Sequence, residues 1–291
     1  MAIANARDVL LKAAEEKYAV GAFNITNLIQ MEAVVEAAAE EEAPVIIQTS
    51  VTPSKFLKPH VLVAIYRALA SSVPIPVVLH LDHCQEVDYC KQCADLGYTN
   101  IMIDASHDPF EENVRQTKEV CDYCHALGDI SVEGELGRVV GVEDEIVITE
   151  DEAVLCDPDQ AVEFVERTGV DLLAPAIGTA HGVYQGEPNV DVDRLSEINR
   201  RLNGGGARIP LVIHGGSGLP DKMVRKLVEN GGTKLNVSTY LKQTLIDTTF
   251  EYVQDHPDEY NPGAIDAAVK EAIKDLIKGY IDLLGCAGKA E

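Results

Sequence analysis

Basic residues are scarce in this chain: 24 Lys and Arg stand against 48 Asp and Glu, a formal net charge of -24 over 291 residues. A surface this acidic repels nucleic acid phosphates and anionic lipid, so neither is an expected partner. Any phosphate group the protein binds must be held by a local site. No apolar run approaches the roughly 18 to 20 residues that cross a bilayer. The chain also opens without the basic and then apolar segments of a secretory leader, and a cytoplasmic location is expected. The first strand-to-helix turn lacks G-x-G-x-x-G, which argues against a dinucleotide-binding domain. No linker or shift in composition marks a second domain, so residues 1–291 are read as one. At 46% hydrophobic content, that domain can bury a large core.

The cysteines do not suggest a disulfide framework. They number seven (Cys84, Cys90, Cys93, Cys121, Cys124, Cys156 and Cys286), and an odd count fits a reducing compartment. Cys90-x-x-Cys93 and Cys121-x-x-Cys124-His125 have the spacing of a four-thiolate zinc site, and the second also matches a haem-attachment signature. Phe110, Val114, Cys121 and Cys124, however, fall near one face of a helix starting after Asp108-Pro109. These thiols are therefore expected in the core as small hydrophobes.

What is present is a regular alternation. Short apolar, β-branched runs predict strands at 18–24, 44–50, 75–79, 100–104, 129–135, 171–177, 209–213 and 233–239. Helical periodicity fills the intervals at 4–17, 29–41, 57–71, 86–95, 110–127, 159–167, 192–202 and 220–229, and two further helices, 240–254 and 264–284, close the chain. A loop with Gly137 and Gly141, rich in acids at Glu143-Asp144-Glu145, follows the fifth strand and is expected to move. Eight strand–helix alternations with short connections predict an α/β fold of the (β/α)8 TIM-barrel type with additional terminal helices.

In such a barrel the carboxyl ends of all strands open at one mouth. The third strand leads into His80-Leu81-Asp82-His83-Cys84, the sixth into Gly178-Thr179-Ala180-His181-Gly182, and the seventh into His214-Gly215-Gly216-Ser217-Gly218. His83, His181 and His214 can therefore converge, and three imidazoles with an open fourth position form the ligand set of a catalytic Zn2+. Asp82, beside His83, is placed as a general acid/base. His80 is expected on the face opposite Asp82, in a structural role; His60, His107, His125 and His256 receive no ligand role. The loops after the seventh and eighth strands, where barrels commonly hold phosphate, carry Gly215-Gly216-Ser217-Gly218 and Asn236-Val237-Ser238-Thr239. Together these features suit reversible carbon–carbon cleavage beside a ketone in a phosphorylated sugar.

Six motifs carry a family resemblance over nearly the whole chain: His80-Leu81-Asp82-His83, Met102-Ile103-Asp104-Ala105-Ser106, Glu133-Gly134-Glu135-Leu136-Gly137, Gly178-Thr179-Ala180-His181-Gly182, His214-Gly215-Gly216-Ser217-Gly218 and Asn236-Val237-Ser238-Thr239. In this order they resemble the zinc-dependent class II ketose-bisphosphate aldolases. The resemblance implies that His83, His181 and His214 hold zinc and that Asp82 exchanges the proton of the C4 hydroxyl. It implies that Asp104 and Glu135 serve a second divalent cation or an alternative metal position, as in some relatives. Glu143 matches an acid that handles the proton at C3 of the dihydroxyacetone phosphate half. Gly182, Gly215, Ser217, Asn236 and Thr239 match phosphate-side contacts, and Gly216, Val237 and Ser238 lie in the same two loops. Asn24 and Ser50 match residues lining the substrate. A monovalent cation near the phosphate and a homodimer or homotetramer are also implied.

One departure bears on the substrate. Where closer fructose-type relatives tend to carry Asp and Arg, this chain has Ser238 and Lys242, which leans toward tagatose, although Tyr240 replaces an acid usual in both branches. The function expected is cleavage of tagatose or fructose 1,6-bisphosphate to dihydroxyacetone phosphate and glyceraldehyde 3-phosphate. Two alternatives stand beside it: a zinc hydrolase on the same barrel, and a catalytically silent sugar-phosphate-binding or assembly subunit.

Overall fold

Eight strands pair in parallel and close on themselves in a computed structural model of the chain. The structure describes residues 3–143, 146–149, 152–182, 184, 186–206 and 208–290, with only the backbone of 142–143 and 146–148. The strands are β1 (Val20–Asn24), β2 (Val45–Thr49), β3 (Val77–Cys84), β4 (Asn100–Ile103), β5 (Ser131–Leu136), a hairpin of β6 (Gly141–Glu143) and β7 (Ile146–Ile148), then β8 (Leu172–Pro175), β9 (Leu211–Ile213) and β10 (Gly232–Val237). Round the barrel the order is β1-β10-β9-β8-β5-β4-β3-β2, so every neighbour is parallel and all carboxyl ends face one mouth. The barrel strands are buried on both faces, which is why they read as nearly unbroken apolar runs.

Between the strands run α1 (Ala6–Glu16), α2 (Leu28–Glu40), α3 (Val51–Leu57), α4 (Pro59–Ala70), α5 (Val87–Leu96), α6 (Phe110–Leu127), α7 (Pro158–Thr168), α8 (Val192–Asn203) and α9 (Asp221–Glu229), followed by α10 (Thr239–Asp255) and α11 (Pro262–Leu284). Local chemistry sets their ends. Asp157 accepts hydrogen bonds from the N–H groups of Asp159 and Gln160 at the start of α7, with Pro158 in the first turn, and Gly169 in a left-handed conformation closes it. Along α11, Lys270, Lys274 and Lys278 reach Glu32, Glu36 and Glu40 of α2, which locks the terminal helix against the barrel. All seven cysteines are buried and free, with Cys121 and Cys124 on the core face of α6. Among the described residues no helix is long and apolar enough to cross a membrane.

Four expectations change. The helix expected at 57–71 is α4, starting at Pro59, and a further helix not expected, α3, precedes it, with Lys58 at a positive φ of 67° between the two. The loop after β5 contains the β6–β7 hairpin, whose three-residue strands are too short to show a periodicity. The strand expected to end at Leu79 continues to Cys84, paired to β2 as far as Leu81 and to β4 at Cys84. His80 lies on the same face as Asp82, two residues on, with its Nε2 3.5 Å from Asp82 Oδ1.

Candidate active site

The site begins with an irregularity in β3. Alternation along a strand sends Asp82 and His83 to opposite faces. Pairing with β4 instead slips between Leu81 and Cys84, and His83 adopts φ 46°, a left-handed conformation uncommon for a residue with a side chain. The bulge turns both neighbours toward the mouth. His181 and His214 arrive from the loops after β8 and β9, and the three rings cluster with centroids 4.5 to 5.9 Å apart.

Each histidine offers a ring nitrogen within 4.8 Å of the other two. Tetrahedral Zn–N bonds of about 2.0–2.1 Å put ligand nitrogens about 3.4 Å apart, so small side-chain adjustments would complete the sphere. The outer nitrogens are already engaged: His83 Nδ1 lies 2.8 Å from Asp104 Oδ2, and His214 Nε2 lies 3.0 Å from Glu133 Oε1. That carboxylate–imidazole pairing fixes ring orientation in metal sites and leaves the inner nitrogen free. His83 Nε2 and His214 Nδ1 are accordingly buried without a hydrogen-bond partner.

Glu135 Oε2 is also unpartnered; it sits 3.0 Å from His214 Nδ1 and 3.8 Å from His83 Nδ1 without hydrogen-bonding geometry to either. With Asp104 and His83 it forms a second cluster of ligand atoms within 4.8 Å, so His83 belongs to both groups. The two carboxylates expected to serve a further cation thus stand beside the three histidines.

Charge explains why a cation suits this place. Asp82, Asp104, Glu133 and Glu135 are all buried at the mouth, and Lys234 is the one buried ammonium among them in the described residues. Burial disfavours a charged imidazole, yet Asp82, Asp104 and Glu135 hold His83 well above the ordinary value of 6.5. Burial, with the neighbouring His83 and His214, pushes His181 well below it. Burial and the Asp104 charge raise Glu135. Without a metal the cluster therefore takes up protons against its excess negative charge, and a divalent ion would replace them.

Asp82 is held on three sides by amides. Asn24 Nδ2 and Gln48 Nε2 donate to Oδ2 at 2.8 and 3.3 Å, and Asn236 Nδ2 donates to Oδ1 at 3.1 Å. Gln48 also donates to Asn24 Oδ1 at 2.6 Å, so β1, β2 and β10 jointly aim the carboxylate of β3. Burial opposes ionisation, but the charge of His83, the neighbouring His80 ring and the charge of Lys234 keep Asp82 well below the usual carboxylate range.

Sequence reading gave no role to Gln48, Glu133 or Lys234, although Glu133 opens one of the six motifs. Lys234 Nζ donates to Glu133 Oε2 at 2.8 Å and lies 3.3 Å from His80 Nε2, while His80 Nδ1 meets Asn100 at 2.5 Å. A buried chain thus runs from the His214 ring through Glu133 and Lys234 to His80. The available signal was a Lys and a Glu each inside a strand, two residues before Asn236 and Glu135 and so on the same inward face.

Asn24, Asp82, His83, His181, Gly182, Gly215, Gly216, Ser217, Asn236, Ser238 and Thr239 line one cleft. Its far wall is made of backbone. A Cβ on Gly216 would lie 2.5 Å from Asn236 O, so only glycine permits that approach. Helix α10 begins at Thr239, which with Ser238 lines the cleft, and no side chain caps its start; Ser238 Oγ and Asn236 Oδ1 are buried there without partners. The Ser238 hydroxyl and the helix start can donate to an anionic group, while Asn236 Oδ1 can accept from a hydroxyl. Two expected contacts lie outside the lining: Val237 is packed in the core, and Ser50 is buried at the start of α3. Glu143 stands in β6, but its side chain, like Asp144 and Glu145, lies outside the described residues.

A family model for class-II fructose-bisphosphate aldolase matches residues 4–289. Among curated proteins, the fructose-bisphosphate aldolases of Staphylococcus epidermidis and Staphylococcus aureus are each 39% identical to this chain over 294 residues, covering 100% of both partners. Among solved structures, the YdjI aldolase from Escherichia coli K12 superposes with a TM-score of 0.86 at 33% identity, covering 99% of this chain and 100% of that one. The chain belongs to the class II fructose-bisphosphate aldolase family and is a carbon–carbon lyase.

Proposed function

We propose that the chain is a Zn2+-dependent aldolase that reversibly cleaves a ketose 1,6-bisphosphate, of tagatose or fructose, to dihydroxyacetone phosphate and glyceraldehyde 3-phosphate. The observation that carries this reading is one cleft joining three convergent imidazoles, an amide-aimed carboxylate and a glycine-lined anion pocket. A hydrolase would leave the Gly216–Ser217 and Asn236–Thr239 walls without a task.

His83, His181 and His214 hold the zinc in this reading. A divalent ion there, when bound, polarises the ketone and stabilises the negative charge that develops beside it. Asp82 takes the proton from the C4 hydroxyl as the C3–C4 bond breaks, and returns it in the synthetic direction. The electron pair of that bond stays with C3, where Glu143 delivers a proton. The amides of Asn24, Gln48 and Asn236 keep Asp82 ionised and oriented, so no side-chain reorganisation is needed at the moment of transfer. Gly182, Gly215, Ser217, Asn236 and Thr239 bind the phosphate next to the ketone, Gly216 and Ser238 complete that wall, and Val237 supports it from the core. Asn24 lines the sugar, while Ser50 sits behind the cleft lining at the start of α3.

Asp104 and Glu135, with His83, provide an alternative metal position or hold a second divalent cation, and a monovalent cation sits near the phosphate. The protein works in the cytoplasm as a homodimer or homotetramer. Ser238 and Lys242 favour the tagatose epimer, whereas the curated relatives are named for fructose. A coupled assay of triose phosphate release from both bisphosphates, with and without a chelator, tests the proposal. Cleavage should require the metal and should be faster on the tagatose epimer; activity that survives complete zinc removal rules the mechanism out.

A further inference from the structure

Tyr184 stands three residues after His181, and the chemistry proposed above gives it no task. Its half-buried phenol uses both of its hydrogen-bonding roles. The hydroxyl accepts from the Ala180 N–H at 3.0 Å and donates to the Gly215 carbonyl at 2.8 Å. Ala180 immediately precedes His181, and Gly215 immediately follows His214. One side chain therefore pins together the two loops that carry these histidines.

Backbone packing makes the link tight. Gly215 has φ 69°, and a Cβ there would lie 2.3 Å from the Ala180 carbonyl oxygen. On its other side, the Gly216 N–H donates to Asn236 O at 2.9 Å, and Ser217 Oγ accepts from the Ser238 N–H at 3.2 Å. The peptide unit joining Gly215 and Gly216 is thus held at both ends, by Tyr184 through its carbonyl and by Asn236 through its N–H. Any displacement of this unit by an anion in the cleft is felt through the hydroxyl at Ala180, next to His181. A phenylalanine would fill the same space and break this path.

We infer that Tyr184 is a positioning residue whose hydroxyl couples the anion cleft to the His181–His214 pair, so that anion binding and metal retention reinforce each other. The inference rests on reading the cleft as a phosphate site and the histidines as a zinc site. Coupling of this kind is a ratio of affinities, commonly about 5- to 150-fold, and is the same in both directions.

The test uses the zinc-loaded full chain, with inorganic phosphate as the anion and a metallochromic chelator to read zinc affinity. In the wild type, saturating phosphate should tighten zinc binding by roughly fivefold or more, and zinc loading should tighten phosphate binding by the same factor. Tyr184→Phe should bring that factor close to one. It should also raise KM for the bisphosphate on the order of tenfold while leaving kcat within about twofold, a pattern expected for lost ground-state binding. A factor kept intact in Tyr184→Phe overturns the inference. So does the absence of linkage in the wild type, a result that stands even if the variant does not fold. A wild type that shows linkage but cleaves neither bisphosphate defeats the proposed activity alone.

Discussion

Replacing Lys234 with Met removes one charge from the centre of the barrel while keeping the length of the side chain. Lys234 and Glu133 are both 0% exposed, and the ammonium lies 2.8 Å from Glu133 Oε2. Their mutual attraction offsets two desolvation costs, so deleting one partner leaves the other's cost uncompensated, typically about 3–5 kcal/mol. At roughly 2–4 °C per kcal/mol for large domains, Lys234→Met should lower the melting temperature on the order of 10 °C. Glu133→Gln should cost a similar amount because it strands the ammonium. The double variant removes both charges and should be less destabilised than the sum of the singles by about 1–3 kcal/mol. Urea unfolding of the four proteins, compared at constant denaturant sensitivity, measures the cycle. The two single variants should also separate functionally. Glu133→Gln strips charge from the group that orients His214 and should weaken zinc affinity about 10- to 100-fold, whereas Lys234→Met leaves that contact in place and should weaken it less. Single losses under about 1 kcal/mol, or strict additivity in the double variant, would refute the idea that this buried pair supports the metal-facing histidine.

Asp82→Ala should leave zinc content largely intact while lowering turnover by roughly 10²-fold or more, as metal analysis and steady-state kinetics can establish; loss of the metal instead would make Asp82 a ligand. Acid should destabilise the metal-free protein through Glu133, which Lys234, His80 and His214 hold below its ordinary value of 4.5 against the opposing effect of burial. A depressed carboxylate contributes stability above 4.5 and loses it as pH falls toward its folded value, so urea midpoints should decline below 4.5 and do so less steeply in Glu133→Gln. Glu135 is raised and acts with the opposite sign above 4.5, where its protonation favours the folded state, so Glu135→Gln should remove a gain in urea midpoint as pH falls toward 4.5 and leave the decline below 4.5 unchanged. Gly141→Ala tests the hairpin: at φ 118° a Cβ would fall 2.3 Å from the His181 carbonyl oxygen, displacing either β6 or His181. Misplacement on the order of 1 Å costs about 10²-fold, so kcat should fall by that order while the melting temperature barely changes.

What could be read from the sequence follows from how far each feature depends on contacts between distant residues. Parallel strands buried on both faces are largely apolar, so the eight barrel strands were visible as runs, and His181 and His214 were visible because each follows the carboxyl end of such a run. The two family-matching loops could be placed for the same reason. Helix α3 escaped that reading, and with it the break at Lys58, because nothing local in a lysine announces a positive φ between two helices. Glu133 and Lys234 were hidden differently: each is a charge inside a strand, and its partner stands 101 residues away, so only the closed barrel shows that the two charges meet. The deepest case is Asp82 and His83. Strict alternation separates them, and a metal ligand and a proton-transfer group on opposite faces of β3 could not serve one substrate. They share the mouth because β4 pairs with β3 through a slipped register and because His83 accepts a left-handed backbone. That conformation is disfavoured in isolation, typically by about 1–3 kcal/mol, and persists only where surrounding contacts outweigh it. Here those contacts include the Asp104 carboxylate on the His83 ring and the ladder closed again at Cys84 and Ile103. The irregular residue in β3 is therefore the one on which the union of the proposed metal site and the proposed general base depends, and its cause lies in the neighbouring strand.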